Sequence, residues 1–150
     1  MVLYRISGKS YTPQDPTGAA ASSEGRWHLL GQRILYFSSS LSLSVLELKV
    51  NGVSFETIRK NQHYLRMDVD ETGRDESIPK SFYSPDWMLD KRDSQRFGAD
   101  WYTEKRSLFL VVRSAILPVE WNCLVNTLHP DFSGLSFASP LPVPLDPRLK

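Results

Sequence analysis

The stretch Arg33-Ile34-Leu35-Tyr36-Phe37-Ser38-Ser39-Ser40-Leu41-Ser42-Leu43-Ser44-Val45-Leu46-Glu47-Leu48-Lys49-Val50-Asn51-Gly52 decides the fold class. Arg33 to Ser38 is rich in β-formers and reads as a strand. Ser38-Ser39-Ser40 offers hydroxyls to the orphan N–H groups of a helix's first turn. The helix then runs from about Leu41 to Val50, and Asn51-Gly52 makes a natural C-cap. Leu43, Leu46, Glu47 and Val50 share one helical face, and Leu41, Val45 and Leu48 add a second apolar stripe. Apolar around most of its circumference, this helix is expected to be largely buried. Glu47 lies on one of those faces, where an ionised carboxylate is costly unless it is paired or faces a cleft. Two readings stand: a structural salt bridge with a neighbouring arginine, or a functional carboxylate.

Upstream, Gly25-Arg26-Trp27-His28 and the turn at Gly31-Gln32 predict a hairpin that brings Arg26 and Tyr36 onto one sheet. Val2 to Ile6 reads as a first strand. Between them, Ser10 to Gly25 carries Pro13, Pro16, Gly18 and a run of small residues. This loop is too poor in apolar residues to pack, and its length suits a lid or mouth better than a plain connection. Downstream, Ser54 to Arg59 is ambiguous and Tyr64 to Val69 alternates as a half-exposed strand. Asp70 to Pro85 is a charged surface excursion. Asp93 to Thr103 reads as a second helix, with Asp93 as its cap. Ser107 to Val112 is nearly continuous in apolar residues, the signature of a central strand covered on both sides. It leads into Arg113-Ser114-Ala115-Ile116, and Ser114 at the end of a core strand is placed to face a cleft. Asn122 to Asn126 is another strand. Asn126 to Phe132 is a turn that starts a short helical piece. Ser136 to Val143 is a last strand, confined to an edge by Pro140 and Pro142. Strands with two separated helices, lacking regular strand–helix alternation, predict an α+β domain with a mixed or antiparallel β core.

A length of 150 residues suits one domain spanning 1–150 with a real core. A net charge of +1 gives no nucleic-acid footprint and no membrane-surface patch. No apolar run is long enough for a bilayer-spanning helix, and Met1-Val2-Leu3-Tyr4-Arg5 has no secretory signature, so a cytoplasmic protein is expected. Cys123 is the only cysteine and sits in a strand, where it reads as a small buried hydrophobe. Asp68, Asp70, Glu71, Asp75 and Glu76 fit no calcium-loop spacing and read as a solvated acidic surface. His28, His63 and His129 are too scattered for a metal triad.

The chain has no P-loop, no Gly-rich dinucleotide fingerprint, no HExxH and no CxxC. A Ser114–His129–Asp131 triad can be written down, but it lacks a nucleophile elbow. Arg26, Tyr36, Glu47 and Ser114 form a more coherent set. Arginine grips phosphate bidentately, and tyrosine stacks on a planar heterocycle while offering a hydroxyl. A carboxylate beside a ribose stabilises an oxocarbenium-like transition state. Cleavage of an N-glycosidic bond in a pyrophosphate-containing substrate is one of several chemistries that this set allows.

At these residues the chain resembles the RES-domain proteins, the toxin half of bacterial Xre–RES toxin–antitoxin systems. The resemblance runs through Tyr4-Arg5-Ile6-Ser7, Gly25-Arg26-Trp27-His28, Gly31, Leu35-Tyr36-Phe37-Ser38 and Leu46-Glu47. It resumes at Ser107 to Ile116, with Arg113-Ser114-Ala115-Ile116, and at Asn126-Thr127-Leu128-His129-Pro130. Arg26, Glu47 and Ser114 fall where the family's eponymous arginine, glutamate and serine belong, and Tyr36 where it has its active-site tyrosine. The resemblance implies an ADP-ribosyltransferase-like fold that breaks the nicotinamide–ribose bond of NAD. NAD is then a substrate, and no cofactor is implied. The acceptor is water, phosphate or a protein side chain, and NAD depletion arrests growth. By the same resemblance Arg26 binds the pyrophosphate, Tyr36 stacks near the nicotinamide, Glu47 serves the ribose and Ser114 completes the pocket, with Arg5 and Asn126 as further binding residues. An Xre-type antitoxin covering the cleft and a homodimer within the complex are the implied partners, with no direct nucleic-acid binding by this chain. Two alternatives remain: a protein ADP-ribosyltransferase, and a non-catalytic protein that only binds a nucleotide or partner. One departure stands out. Many relatives have histidine on the helical turn after the glutamate, where this chain has Asn51.

Overall fold

A computed structural model describes residues 1–8, 23–70, 75–78 and 80–150. Seven strands form one sheet: β1 (Val2–Gly8), β2 (Ile34–Ser38), β3 (Gln62–Asp68), β4 (Asp75–Ser77), β5 (Phe109–Arg113), β6 (Trp121–Asn126) and β7 (Leu141–Pro142). Their spatial order is β4-β5-β6-β2-β1-β3-β7. Neighbours run antiparallel except β4 and β5, which are parallel. Three helices, α1 (Leu41–Val50), α2 (Phe55–Asn61) and α3 (Arg92–Glu104), complete an α+β fold with a mixed sheet, as the sequence predicts.

β2 lies at the middle of the sheet and buries both faces. Leu35 and Phe37 point into a cluster with Leu3, Met67, Phe109 and Val125. Ile34 joins Trp27, Trp101, Leu110 and Leu124 on the opposite side, with Tyr36 packed against that group. Alternate strand residues face opposite ways, so one apolar run serves two cores. A third cluster, Ile6, Val45, Ile58 and Val143, seats α1 and α2 against β1. α1 begins as expected: Ser40 is its N-cap, and the Ser40 hydroxyl accepts the Leu43 N–H at 3.1 Å. The same hydroxyl donates to Glu120 Oε2 at 2.8 Å, which places a carboxylate at the positive end of the helix. Asn51 is the C-cap, and Gly52 takes the left-handed conformation at φ 83°.

Several expectations change. Gly25 to His28 is not a strand, so no hairpin forms. The Gly25 carbonyl accepts from the Gln95 side chain of α3, and the Gly25 N–H donates to the His28 carbonyl, so these groups serve a local turn rather than a ladder. The turn at Gly31 is present, at φ 87°. α1 is less buried than its composition suggests: Leu46 is 38% and Val50 68% exposed. The ambiguous segment after α1 becomes α2, and the charged excursion contains β4 at a sheet edge. Lys91, not Asp93, is the N-cap of α3, with Asp93 in its first turn. The strand after α3 lies next to the edge strand β4 rather than at the centre, yet it is covered on both faces. The last strand shrinks to Leu141–Pro142, held on the β3 edge. The loop read as a lid or mouth lies largely outside the described residues.

Gly98 of α3 packs directly on the Trp27 main chain, where a Cβ would overlap the Trp27 carbonyl. Helix propensity alone favours alanine there by about 1 kcal/mol, but overpacking against backbone costs about 1–3 kcal/mol. Gly98→Ala is therefore expected to lower the urea-unfolding midpoint. A midpoint that rises would show that the contact yields.

Candidate active site

A cavity of about 680 Å³ opens where β1, β2, α1 and the β5–β6 loop meet. Arg5, Arg26, Tyr36 and Glu47 all line it, joined by His28 and Asn122. They come from five separate stretches of chain. β1 supplies Arg5, the turn before β2 supplies Arg26 and His28, and β2, α1 and β6 supply Tyr36, Glu47 and Asn122. The register that sets Tyr36 opposite Leu124 and Ser38 opposite Asn122 brings the β2 and β6 contributions to one end of the sheet.

Glu47 is half-buried on the inner side of α1. Its Oε1 accepts from the Asn122 side-chain amide at 2.7 Å and from the Ser114 hydroxyl at 3.3 Å. Among the described residues no hydrogen bond reaches Oε2 and no cation stands at ion-pair distance, so the salt-bridge reading does not hold. One carboxylate oxygen is thus held by the fold, while the other has no hydrogen-bond partner among the described residues. Hydrogen bonds to a charged group contribute about 1.5–3 kcal/mol each, enough to offset partial desolvation. Asn122 Oδ1 is buried without a partner. Flipping the amide would turn that oxygen onto the carboxylate, so the charge on Glu47 dictates the Asn122 orientation.

Ser114 is fully buried and does not line the cavity. Its hydroxyl donates to Glu47 and accepts the N–H groups of Ile116 and Leu117, each at 3.1 Å. It therefore shapes the loop that presents Ala115 and Ile116 to the cavity, and it holds Glu47 from behind. Arg26 donates from Nη1 to the Trp87 carbonyl at 2.9 Å and from Nη2 to the Met88 carbonyl at 2.7 Å, with its guanidinium 5.4 Å from the Trp87 ring centroid. Burial pulls the Arg26 guanidinium below its usual range, while the nearby Glu47 and Tyr36 push the other way. Arg5 donates to the Tyr36 main-chain carbonyl at 3.2 Å. Burial pushes the Tyr36 phenol well up; the Trp27 main-chain N–H and Arg26 oppose this, and Glu47 adds to it. The phenol stays protonated through the ordinary pH range.

Asn126 of the expected set, and Asn51, where many relatives have histidine, are both bonded within the fold. Asn126 is fully buried away from the cavity. Its amide donates to the Trp101 and Tyr102 carbonyls and its oxygen accepts the Leu128 N–H, which fastens the end of α3 to β6. Asn51 lines the cavity, but its amide donates to the Glu47 main-chain carbonyl at 2.8 Å, finishing the helix. The Ser114–His129–Asp131 triad does not assemble, because Ser114 points at Glu47 and His129 caps the 3-10 turn at Pro130–Gly134. Among the described residues no His/Cys/Asp/Glu group is arranged to hold a metal ion. Asn122 and His28 were missed as site residues. The available signal was a polar residue interrupting an apolar strand in one case, and a histidine beside Arg26 in the other.

The RES domain matches residues 2–146. The chain belongs to the RES-domain family. A "Toxin Res" of Yersinia enterocolitica is 31% identical over the full length of both chains. A "Prs ADP-ribosylating toxin" of a Sphingobium species is 31% identical, covering 98% of this chain and 95% of that protein. Among solved structures, the M. tuberculosis MbcT–MbcA toxin–antitoxin complex contains a chain with the same fold. The TM-score is 0.67 at 17% identity, over 95% of this chain and 83% of that one.

Replacing Asn122 by aspartate sets a second carboxylate against Glu47 Oε1. Asn122→Asp is expected to lower stability at pH 7 by about 1.5–3 kcal/mol, the worth of a hydrogen bond to a charged group. Repulsion raises the folded-state carboxyl pKa above its unfolded value, so the loss is full above that folded pKa and shrinks as pH falls. Urea unfolding at pH 7 and pH 4.5 checks this; equal losses at both would contradict it.

Proposed function

We propose that this RES-domain chain is the toxin of a toxin–antitoxin system and that it cleaves NAD at the nicotinamide–ribose bond. The observation that carries the reading is one carboxylate oxygen of Glu47 left open in a cavity that Arg26 and Tyr36 also line. Arg26 meets the pyrophosphate, and Tyr36 lies beside the nicotinamide. Glu47 Oε2 faces the ribose, where it holds a hydroxyl and opposes the positive charge that develops. The C–N bond breaks with its electron pair going to the nicotinamide ring nitrogen, which becomes neutral. The ribose carbon bonds to a water oxygen, which gives up a proton to bulk water. Phosphate or a protein side chain takes the same place if either is the acceptor.

The names of the relatives support the toxin role, and the name of the Sphingobium relative favours transfer to a protein acceptor as the second reading. The MbcT–MbcA likeness supports a protein antitoxin as partner, and on this reading it is of Xre type and covers the cavity mouth. A homodimer within that complex and a cytoplasmic site of action complete the proposal. Among the described residues no helix is long and apolar enough to cross a membrane.

Incubating the purified chain with NAD is expected to release nicotinamide. Glu47→Gln and Arg26→Ala should each cut the rate by about a hundredfold or more, the usual cost of removing a group aimed at transition-state charge. No release from the wild type, or unchanged rates in both variants, would falsify the reading. Labelled NAD with cell lysate separates the acceptors: a labelled protein band marks a protein acceptor, and free ADP-ribose or its phosphorylated form marks water or phosphate.

A further inference from the structure

His28 lines the same cavity and is 3% exposed. Its ring stands edge-on to Tyr36, with centroids 5.5 Å apart and planes at 63°. Nδ1 lies 2.7 Å from the Tyr36 hydroxyl, and Nε2 lies 2.9 Å from the Ser23 main-chain carbonyl. A carbonyl can only accept, so the proton on this side belongs to Nε2. A neutral imidazole carries one N–H, which leaves Nδ1 as an acceptor. With the ring neutral in this tautomer, the Tyr36 hydroxyl is the donor to Nδ1. A phenol that donates its one proton to the ring offers the cavity only acceptor lone pairs.

The surrounding chain is built to keep the ring there. A Cβ on Gly25 would overlap Cε1 and Nδ1 of His28, so only glycine lets the ring reach Tyr36. The Gly25 N–H donates to the His28 carbonyl at 3.2 Å, and the Gly25 carbonyl is held by Gln95 at 2.8 Å. The ring is thus fixed from both edges and from the backbone behind it.

We propose that His28 is a positioning residue that fixes the polarity of the Tyr36 hydroxyl, so that the cavity presents an acceptor there to an O–H or N–H donor of the ligand. The activity arm of the test rests on the NAD-cleavage reading. On that reading the donor is a ribose hydroxyl or the carboxamide N–H of the nicotinamide half. A ligand with only an acceptor at this place meets a lone pair and is disfavoured.

The test uses two substitutions that split the contacts of the ring. His28→Asn keeps an acceptor oxygen near the Nδ1 position. His28→Gln reaches the Ser23 carbonyl with its amide but withdraws from Tyr36. Rates of nicotinamide release are measured on both, with melting curves to confirm folding, and a cycle with Tyr36→Phe is closed. His28→Gln is expected to lose up to about a hundredfold in kcat, as a small misplacement in a site does. His28→Asn should recover most of that loss, and His28→Gln should cost nothing further in a Tyr36→Phe background. Equal losses in the two His28 variants, or additive losses in the cycle, would overturn the proposal. A second arm needs no turnover. With ¹⁵N-histidine, the imidazole signals lost in His28→Gln should be those of a neutral Nε2–H tautomer, and an Nδ1–H tautomer or a charged ring overturns the proposal. If the wild type releases no nicotinamide, the NAD reading fails and the tautomer still decides the role of His28.

Discussion

A half-buried carboxylate held by two neutral donors organises this molecule. Glu47 sits on α1, and its donors, Asn122 and Ser114, sit on β6 and the β5–β6 loop. Taking a charge partly out of water is costly, and only well-placed hydrogen bonds make it tolerable. The helix therefore has one favourable docking position on the sheet. A second tie runs from the Ser39 and Ser40 hydroxyls to Glu120, at the other end of the same loop. Between the two ties the loop has little freedom, and Ser114 uses its remaining capacity to accept the N–H groups of Ile116 and Leu117. The wall of the cavity is thus a consequence of how the carboxylate is satisfied.

The sheet supplies the rigidity that this arrangement needs. β2 is covered on both faces, so its register against β6 is set by two cores at once. That register carries Tyr36 and Asn122 to the same end of the sheet. The aromatic cluster of Trp27, Phe82, Trp87 and Trp101 then anchors the turn before β2. Arg26 and His28 flank Trp27 in sequence, so burying that one indole turns both of them toward the cavity. Residues that touch a ligand are more precise when held by packed elements than by open loops.

How far the sequence was legible varies residue by residue. β2 and α1 were readable because their signals are local: a β-rich run, a serine cap, helical spacing and an Asn-Gly stop. The hairpin at Gly25–His28 was a misreading, because Trp27 is captured by aromatics that lie far along the chain. α1 carries apolar residues that stay exposed, since periodicity says which residues share a face but not how wide a contact the sheet offers. β4 hid in a charged segment because an edge strand needs only backbone pairing. Arg26, Tyr36 and Glu47, grouped from the sequence, line one cavity, whereas Asn126, grouped with them as a binding residue, is buried away from it and ties α3 to β6. Asn122 and His28 carry only a faint sequence signal, a polar residue in an apolar strand and a histidine near Arg26, because what matters is the atom each one faces.

The sequence by itself determined the α+β class, the strand–cap–helix unit at the centre, and the suspicion that Glu47 is not a surface charge. These follow from backbone propensity and side-chain period, which act over a few residues. Only the tertiary structure decided what Glu47 is paired with, which of its oxygens those partners take, and which ring nitrogen of His28 meets the Tyr36 hydroxyl. Hydrogen-bond direction depends on distances of a few tenths of an ångström between residues remote in the chain, such as Glu47 and Asn122. No local pattern encodes those distances; they exist once two cores and one buried carboxylate have fixed the sheet and the helix against each other.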